Sequence, residues 1–241
     1  MNISKILSFD VWGEYACFRI PYSTTSPLTF PFPTRTAVSG FVSAILGLDR
    51  DSYYDDFSNE NCKIGIKLLS PIRKTYIGQN LIDTKKGLYL WDITENQRTQ
   101  ILFEVLKDVK FRIYLWLRNT TLFNLLENHL NNHTSVYTPY LGLANMLANF
   151  QFVNKYEDIE KKEANDDTKI STIVTESFGV KSIPGHKIGR IKMPLYFDKE
   201  RKPSFDSLIY DTCHDYDGTH QLTISRGEYY QINNEFNIVI I

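Results

Sequence analysis

Cysteine is scarce in this chain: Cys17, Cys62 and Cys213 are odd in number, far apart and without a C-x-x-C pair. That excludes a disulfide framework and a zinc knuckle and leaves reduced, mostly buried thiols as the expectation. Long apolar runs are absent too; none approaches the roughly 20 residues that a bilayer-crossing helix needs. The stretch MNISKILSFDVWGEYA lacks a basic region leading into an apolar signal segment, so a cytoplasmic location with no membrane partner is expected. No P-loop, no G-x-S-x-G and no dinucleotide fingerprint occurs. Net charge is nearly absent: 27 Lys and Arg stand against 28 Asp and Glu, a formal −1. That argues against a protein that coats nucleic acid with its whole surface.

What is present is enough apolar material for a core, with 42% hydrophobic and 14% aromatic residues among 241. The charge is also unevenly spread. Residues 63–118 hold eleven Lys and Arg against five acids, a local +6, and residues 181–202 hold seven against two. The balancing acids lie in DRDSYYDDFSNE and after Ser204, so a basic surface can exist inside a neutral molecule.

Hydrophobic periodicity gives the elements. Ser4 to Val11 reads as a strand. The stretch FPFPTRTAVSGFVSAILG reads as a proline-rich connection into a helix, with Val38, Phe41, Val42, Ile45 and Leu46 on one buried stripe. Thr34 is placed to cap its start and Gly47 to end it in the left-handed region. Its other side carries only Thr36, Ser39, Gly40 and Ser43, which would admit a close neighbour, and Arg35 puts a cation in the first turn, where an anion would be welcome. KIGIKLL and FRIYLWLR alternate with period two; in the second, Phe111, Ile113, Leu115 and Leu117 face one way and Arg112, Tyr114, Trp116 and Arg118 the other. TTLFNLLENHL follows as a second helix capped by Thr120 or Thr121, with Leu122, Leu125, Leu126, His129 and Leu130 along one side. Phe150 to Val153 supplies a last strand.

The order β–α–β–β–α–β predicts an α+β chain with a ferredoxin-like, RRM-like palm over residues 1–155. About forty residues between the second and third strands form an insertion at about 72–104, and loops that long inside a compact domain are usually functional. Residues 156–241 are expected to form a smaller β-rich region.

Candidate chemistries divide on spacing. His129 and His133 stand at i, i+4, the spacing of a helical metal pair, but without a third acidic ligand; no metal and no cofactor is expected. His186, His214 and His220 are further conceivable bases for metal-independent RNA cleavage, none set by a recognisable pattern. The basic–Gly–aromatic motif of standard RNA-recognition domains is absent.

Trp12-Gly13, Phe32-Pro33-Thr34-Arg35 opening a Gly-containing helix, and Pro139-Tyr140-Leu141-Gly142 resemble the CRISPR-associated Cas-five subunits of type I Cascade complexes, most closely in the type I-B style. The resemblance covers about residues 4–155 and the MPLYFDKER segment. It implies a palm with a long β-hairpin thumb that grips the 5′ handle of CRISPR RNA (crRNA). It also implies a place at one end of the Cascade backbone filament, between a backbone subunit and the large subunit, in an antiviral complex that meets target DNA only indirectly. Because one branch, type I-C, also cuts precursor RNA and its catalytic set is not matched here, the expectation is a non-catalytic subunit. Arg19, Arg35 and Ser39 are carried over as handle contacts. In the thumb Arg73, Lys74, Tyr76, Trp91 and Arg98 are chosen by chemistry, cations for phosphate and aromatics for splayed bases. The alternatives are a metal-independent endoribonuclease acting on CRISPR repeat RNA and a protein-interaction module without RNA.

Overall fold

Alternating side chains of five strands build the main sheet. The computed structural model describes residues 3–23, 25–82, 98–182, 187–197, 202–212 and 221–241. Strand β1 (Ile6–Ala16) leads to helix α1 (Arg35–Leu46), then β2 (Cys62–Leu68), β3 (Lys74–Ile82), β4 (Arg98–Leu117), helix α2 (Thr120–Asn131) and β5 (Asn149–Tyr156). The strands lie in the order β2-β4-β1-β5, all antiparallel, with β3 also on β4. Leu7, Phe9 and Val11 share one face with Ile64, Ile66, Ile113 and Leu115, and both helices bury their apolar stripes on that face. Each such Leu, Ile or Phe contributes about 1.5–3 kcal/mol by leaving water.

The caps decide where the helices begin. Thr34 accepts from the amide of Ala37, and Gly47 ends α1 at φ 72° with its amide on the Ser43 carbonyl. The cap of α2 is Asn119, one residue ahead of the expected threonines; its side-chain Oδ1 accepts from the amides of Thr121 and Leu122, a bond the threonines would make less well from inside the first turn. The buried stripe of α2 is Phe123, Leu126 and Leu130, with Leu125 exposed.

Among the described residues, the opposite face of the sheet is covered at one end. Ile6, Tyr114, Trp116 and Tyr156 pack against Ile232, Ile238 and Ile240 from the end of the chain. The remaining strands are short: β6 (Ile159–Glu163), β7 (Thr168–Ile170), β8 (Val174–Thr175), β9 (Val180–Lys181), β10 (Ile188–Phe197), β11 (Pro203–Asp211), β12 (Leu222–Ile224), β13 (Glu228–Ile232) and β14 (Phe236–Ile238). They form three small sheets, β10-β11-β8, β7-β12-β9 and β14-β13-β6. Met193, Leu195 and Leu208 of this region join the core beneath the helices, and Ile241 exchanges two backbone hydrogen bonds with Ile64, extending the β2 edge. Among the described residues no helix is long and apolar enough to cross a membrane.

Candidate nucleic-acid interface

β4 is twenty residues long, more than twice the Phe111–Arg118 stretch that the sequence pattern marks. Its second half is the central strand of the sheet. Its first half, Arg98 to Leu106, pairs with β3 as a long hairpin. The alternation that would announce this half is blurred, because Leu102 and Leu106 stand on one face while Phe103 and Val105 stand on the other. Directly paired residues point the same way, so Lys74, Tyr76 and Ile82 share a face with Leu106, Glu104 and Arg98. Lys74, Tyr76 and Arg98 therefore stand together on one exposed face, with Tyr76 61% exposed. The other face is anchored: Ile77, Phe103 and Val105 pack with Cys17 and Met146.

The hairpin base is pinned to the loop after β1. Lys74 Nζ donates to Glu104 at 2.8 Å and to the Thr29 carbonyl at 3.1 Å, and Glu104 also accepts the Thr29 amide at 3.1 Å. Arg19 bridges to Thr29, which brings this exposed arginine beside the hairpin. Arg73 lies 3.9 Å from Asp108, both half exposed. Trp91 lies outside the described residues.

Arg35 and Ser39 depart from the expectation of an open cationic helix start. Arg35 is buried, and its Nη2 donates to the carbonyls of Phe57, Ser58 and Cys62 at 3.1, 3.1 and 2.6 Å. Its guanidinium lies 4.9 Å over the Tyr196 ring. Ser39 turns its hydroxyl to the Arg35 carbonyl at 3.0 Å. The bare side of α1 is thus roofed by the 50–59 loop and β10, because loop carbonyls left by the turns at 57–62 need a donor and a guanidinium reaches three at once. A pocket of about 390 Å³ remains between roof and helix, lined by Arg35, Thr36, Ser39, Tyr53, Tyr54 and Tyr196 among others. Burial pushes the Tyr53 and Tyr196 phenols up, the Cys62 thiol up to about 12 and the Lys63 ammonium down.

The sheet register also assembles a cluster the sequence conceals. Lys67, Arg112, Asp10 and Gln151 form one cross-strand row on the half of the face not covered by the chain end. Arg112 holds Asp10 through two bonds of 2.7 and 3.1 Å, and Lys110 lies 3.6 Å from Asp10 and 5.8 Å from the Trp12 ring. Burial, then the Arg112 charge, pushes Lys67 down. These residues come from four separate strands; only the pairing register unites them. The two helical histidines diverge: His129 Nδ1 lies 3.0 Å from the Thr134 hydroxyl, while His133, at φ 52°, stacks on Phe150 at 4.9 Å beside Trp12, Asn131 and Gln151. His186, His214 and His220 lie outside the described residues.

Comparison supplies the family of this α+β fold, with α1 and α2 on one face of an antiparallel sheet and a hairpin bearing exposed Lys74, Tyr76 and Arg98. Residues 6–177 match the family described as CRISPR-associated protein (Cas_Cas5), and the chain belongs to that family. It is 29% identical over 155 residues to the CRISPR pre-crRNA endoribonuclease Cas5d of Thermus thermophilus, covering 60% of this chain and 62% of that protein. Helicase SWR1 of Candida glabrata matches at 25% identity over 183 residues, 71% of this chain; the chain spans about an eighth of the length of such relatives, 12%, and has no P-loop. Among solved structures, a CRISPR protein from Archaeoglobus fulgidus superposes with TM-score 0.56, 17% identity and 98% coverage of both chains. A chain of a CRISPR RNA-guided surveillance complex superposes with TM-score 0.51, 14% identity and 92% and 91% coverage. These two support the fold. The Thermus relative overturns one expectation: a chain of this family cannot be set down as non-catalytic, because a related protein is an endoribonuclease.

Proposed function

We propose that this chain is a CRISPR-RNA-binding subunit of a Cascade-type effector complex, with a ferredoxin-like palm and the β3–β4 hairpin as its thumb. The carrying observation is that hairpin: membership of the family is joined to one exposed face bearing Lys74, Tyr76 and Arg98, with Arg19 at its base. Cations there hold phosphates and Tyr76 stacks on a splayed base of the 5′ handle. The strand order and the two helices on one face support the palm, and backbone and large subunits of the complex are the protein partners, with a type I-B setting the best fit to the sequence motifs. Fluorescence anisotropy with labelled repeat RNA tests this. Binding should fall steeply with salt; Arg98→Ala should reduce the slope of log K against log salt by about 0.7 for a lost phosphate contact, and Tyr76→Ala should weaken binding by about 1–3 kcal/mol. Equal binding by both variants and the parent chain would refute the assignment.

The Thermus relative favours a second activity, cleavage of precursor RNA by this same chain. His133, beside Trp12, Asn131 and Gln151, is the base that this reading selects for the 2′-hydroxyl. Repeat RNA incubated with the purified chain should then be cut at one position, and His133→Ala should abolish the cut while leaving binding intact. An uncut repeat would dismiss this activity without touching the binding role.

A further inference from the structure

Residues 49–60 roof one side of α1 with little of their own to hold them there. They form turns but no helix or strand, and Phe57 is their only buried side chain, with Tyr53 packed half-buried on the same core. Their backbone hydrogen bonds are local: the amides of Ser52, Phe57 and Ser58 donate to the carbonyls of Asp49, Tyr53 and Asp55 at 3.2, 3.1 and 3.2 Å. Few buried apolar contacts and short-range bonds mark a segment that opens below the free energy of global unfolding.

Arg35 both fastens this roof and burdens it. Its Nη2 donates to the carbonyls of Phe57 and Ser58 within the segment and of Cys62 just past its end; on the side toward α2, Asn119 Nδ2 adds a bond of 3.0 Å to Asp56. The same guanidinium stands at the positive end of the α1 dipole with no acidic residue in the first turn, and its Nε and Nη1 are sealed from solvent without a hydrogen-bond partner. A guanidinium buried in that way retains much of its desolvation penalty. Lifting the roof breaks the Nη2 bonds and exposes Phe57, but it returns the two sealed nitrogens to water. These terms oppose each other, so the closed form leads the open one by a narrow margin.

We infer that residues 49–60 are a lid, latched by Arg35, that opens while the main sheet and both helices stay folded. Opening bares Arg35, Ser39 and Ser43, which are all buried in the closed form, and turns a sealed cation into a surface one. The side of α1 made of small residues is then a face that the fold can cover or present. The inference does not depend on the function proposed above.

Native-state hydrogen exchange on the full chain, followed by NMR in urea concentrations below the unfolding transition, tests this. The amides of Phe57, Ser58 and Cys62, the last bonded to the Ser58 carbonyl at 2.9 Å, report on the lid; those of Val42 in α1 and Ile113 in β4 report on the body. The lid amides should exchange about a hundredfold faster than the body amides and depend far less on urea, because a local opening exposes little surface, while still exchanging more slowly than an unstructured peptide. Arg35→Lys, which shortens the latch, should speed Phe57 and Ser58 by about tenfold more than it speeds Val42 and Ile113. Equal rates and equal urea dependence at all five amides would overturn the inference, since the roof would then open only with the whole fold. Exchange of the lid amides at the unstructured rate would overturn it as well, by leaving no closed form, and an equal acceleration of all five by Arg35→Lys would deny Arg35 the latch.

Discussion

Arg35 shows how one side chain reads differently in sequence and in space. Its place after Phe32-Pro33-Thr34 marks the start of α1 in the sequence, but not that its Nη2 serves the carbonyls of Phe57, Ser58 and Cys62. Those acceptors lie more than twenty residues away in a stretch with no periodic pattern, so no local signal points to them. Arg35→Ala should leave them without donors and lower stability by about 2–4 kcal/mol in urea unfolding; Arg35→Lys should not restore it, because a lysine ammonium ends one atom short of the Nη2 position and lacks the flat guanidinium that lies over the Tyr196 ring. Gly142 closes the Pro139–Gly142 motif at a φ of 90°, and a Cβ there would lie 1.9 Å from the Cys17 carbonyl oxygen. Cys62 adds a pH dependence. Burial pushes its thiol from the ordinary 9.0 up to about 12, so above pH 9 the unfolded chain loses the proton before the folded one does. Its contribution is complete below pH 9 and is lost as pH rises toward 12. Lys63 and Lys67, lowered by burial, act in the opposite sense, so the check is the difference between the parent chain and Cys62→Ala: the alkaline fall in melting temperature should be shallower in the variant.

Among the elements, those with clean periodicity were legible: α1, β2 and the second half of β4 stand where the apolar spacing puts them, and β1 runs on from the expected Val11 to Ala16. The first half of β4 was not, because apolar residues on both of its faces erase the period: Phe103 and Val105 pack with Cys17 and Met146, while on the other face Leu106 is buried in the main core and Leu102 is 56% exposed. The hairpin is consequently part anchor and part arm. Replacing residues 80–100 by a tight Asn-Gly turn keeps the Ile77–Phe103 pair and its packing, and a shorter loop closes at no greater entropic cost. The melting temperature should stay within a few degrees while affinity for repeat RNA falls. Phe103→Ala should do the reverse, destabilising by about 3–5 kcal/mol through a cavity with the exposed face intact. A shortened protein that binds RNA as before would deny the arm its role.

On the scale of the whole molecule, the two faces of the main sheet divide the work. Helices seal one face, and the end of the chain seals half of the other through Ile232, Ile238 and Ile240. Removing residues 236–241 should uncover Tyr114 and Trp116, raise binding of a hydrophobic dye and lower the melting temperature, since β14 and the Ile64–Ile241 pairing go with them. The other half carries Trp12, Lys67, Lys110 and Arg112, and under the proposed function it joins the hairpin as a surface offered to RNA. The site was only partly legible because it is assembled by register: Lys74, Tyr76 and Arg98 could be chosen for their chemistry, but their common face follows from pairing across a connection that sequence leaves open. The most direct measurement is to purify the tagged chain from cells that carry its CRISPR array and sequence the 5′ ends of the RNA that travels with it. A single repeat-derived tag shared by different spacers is the predicted result; random 5′ ends, or no RNA at all, would contradict the account.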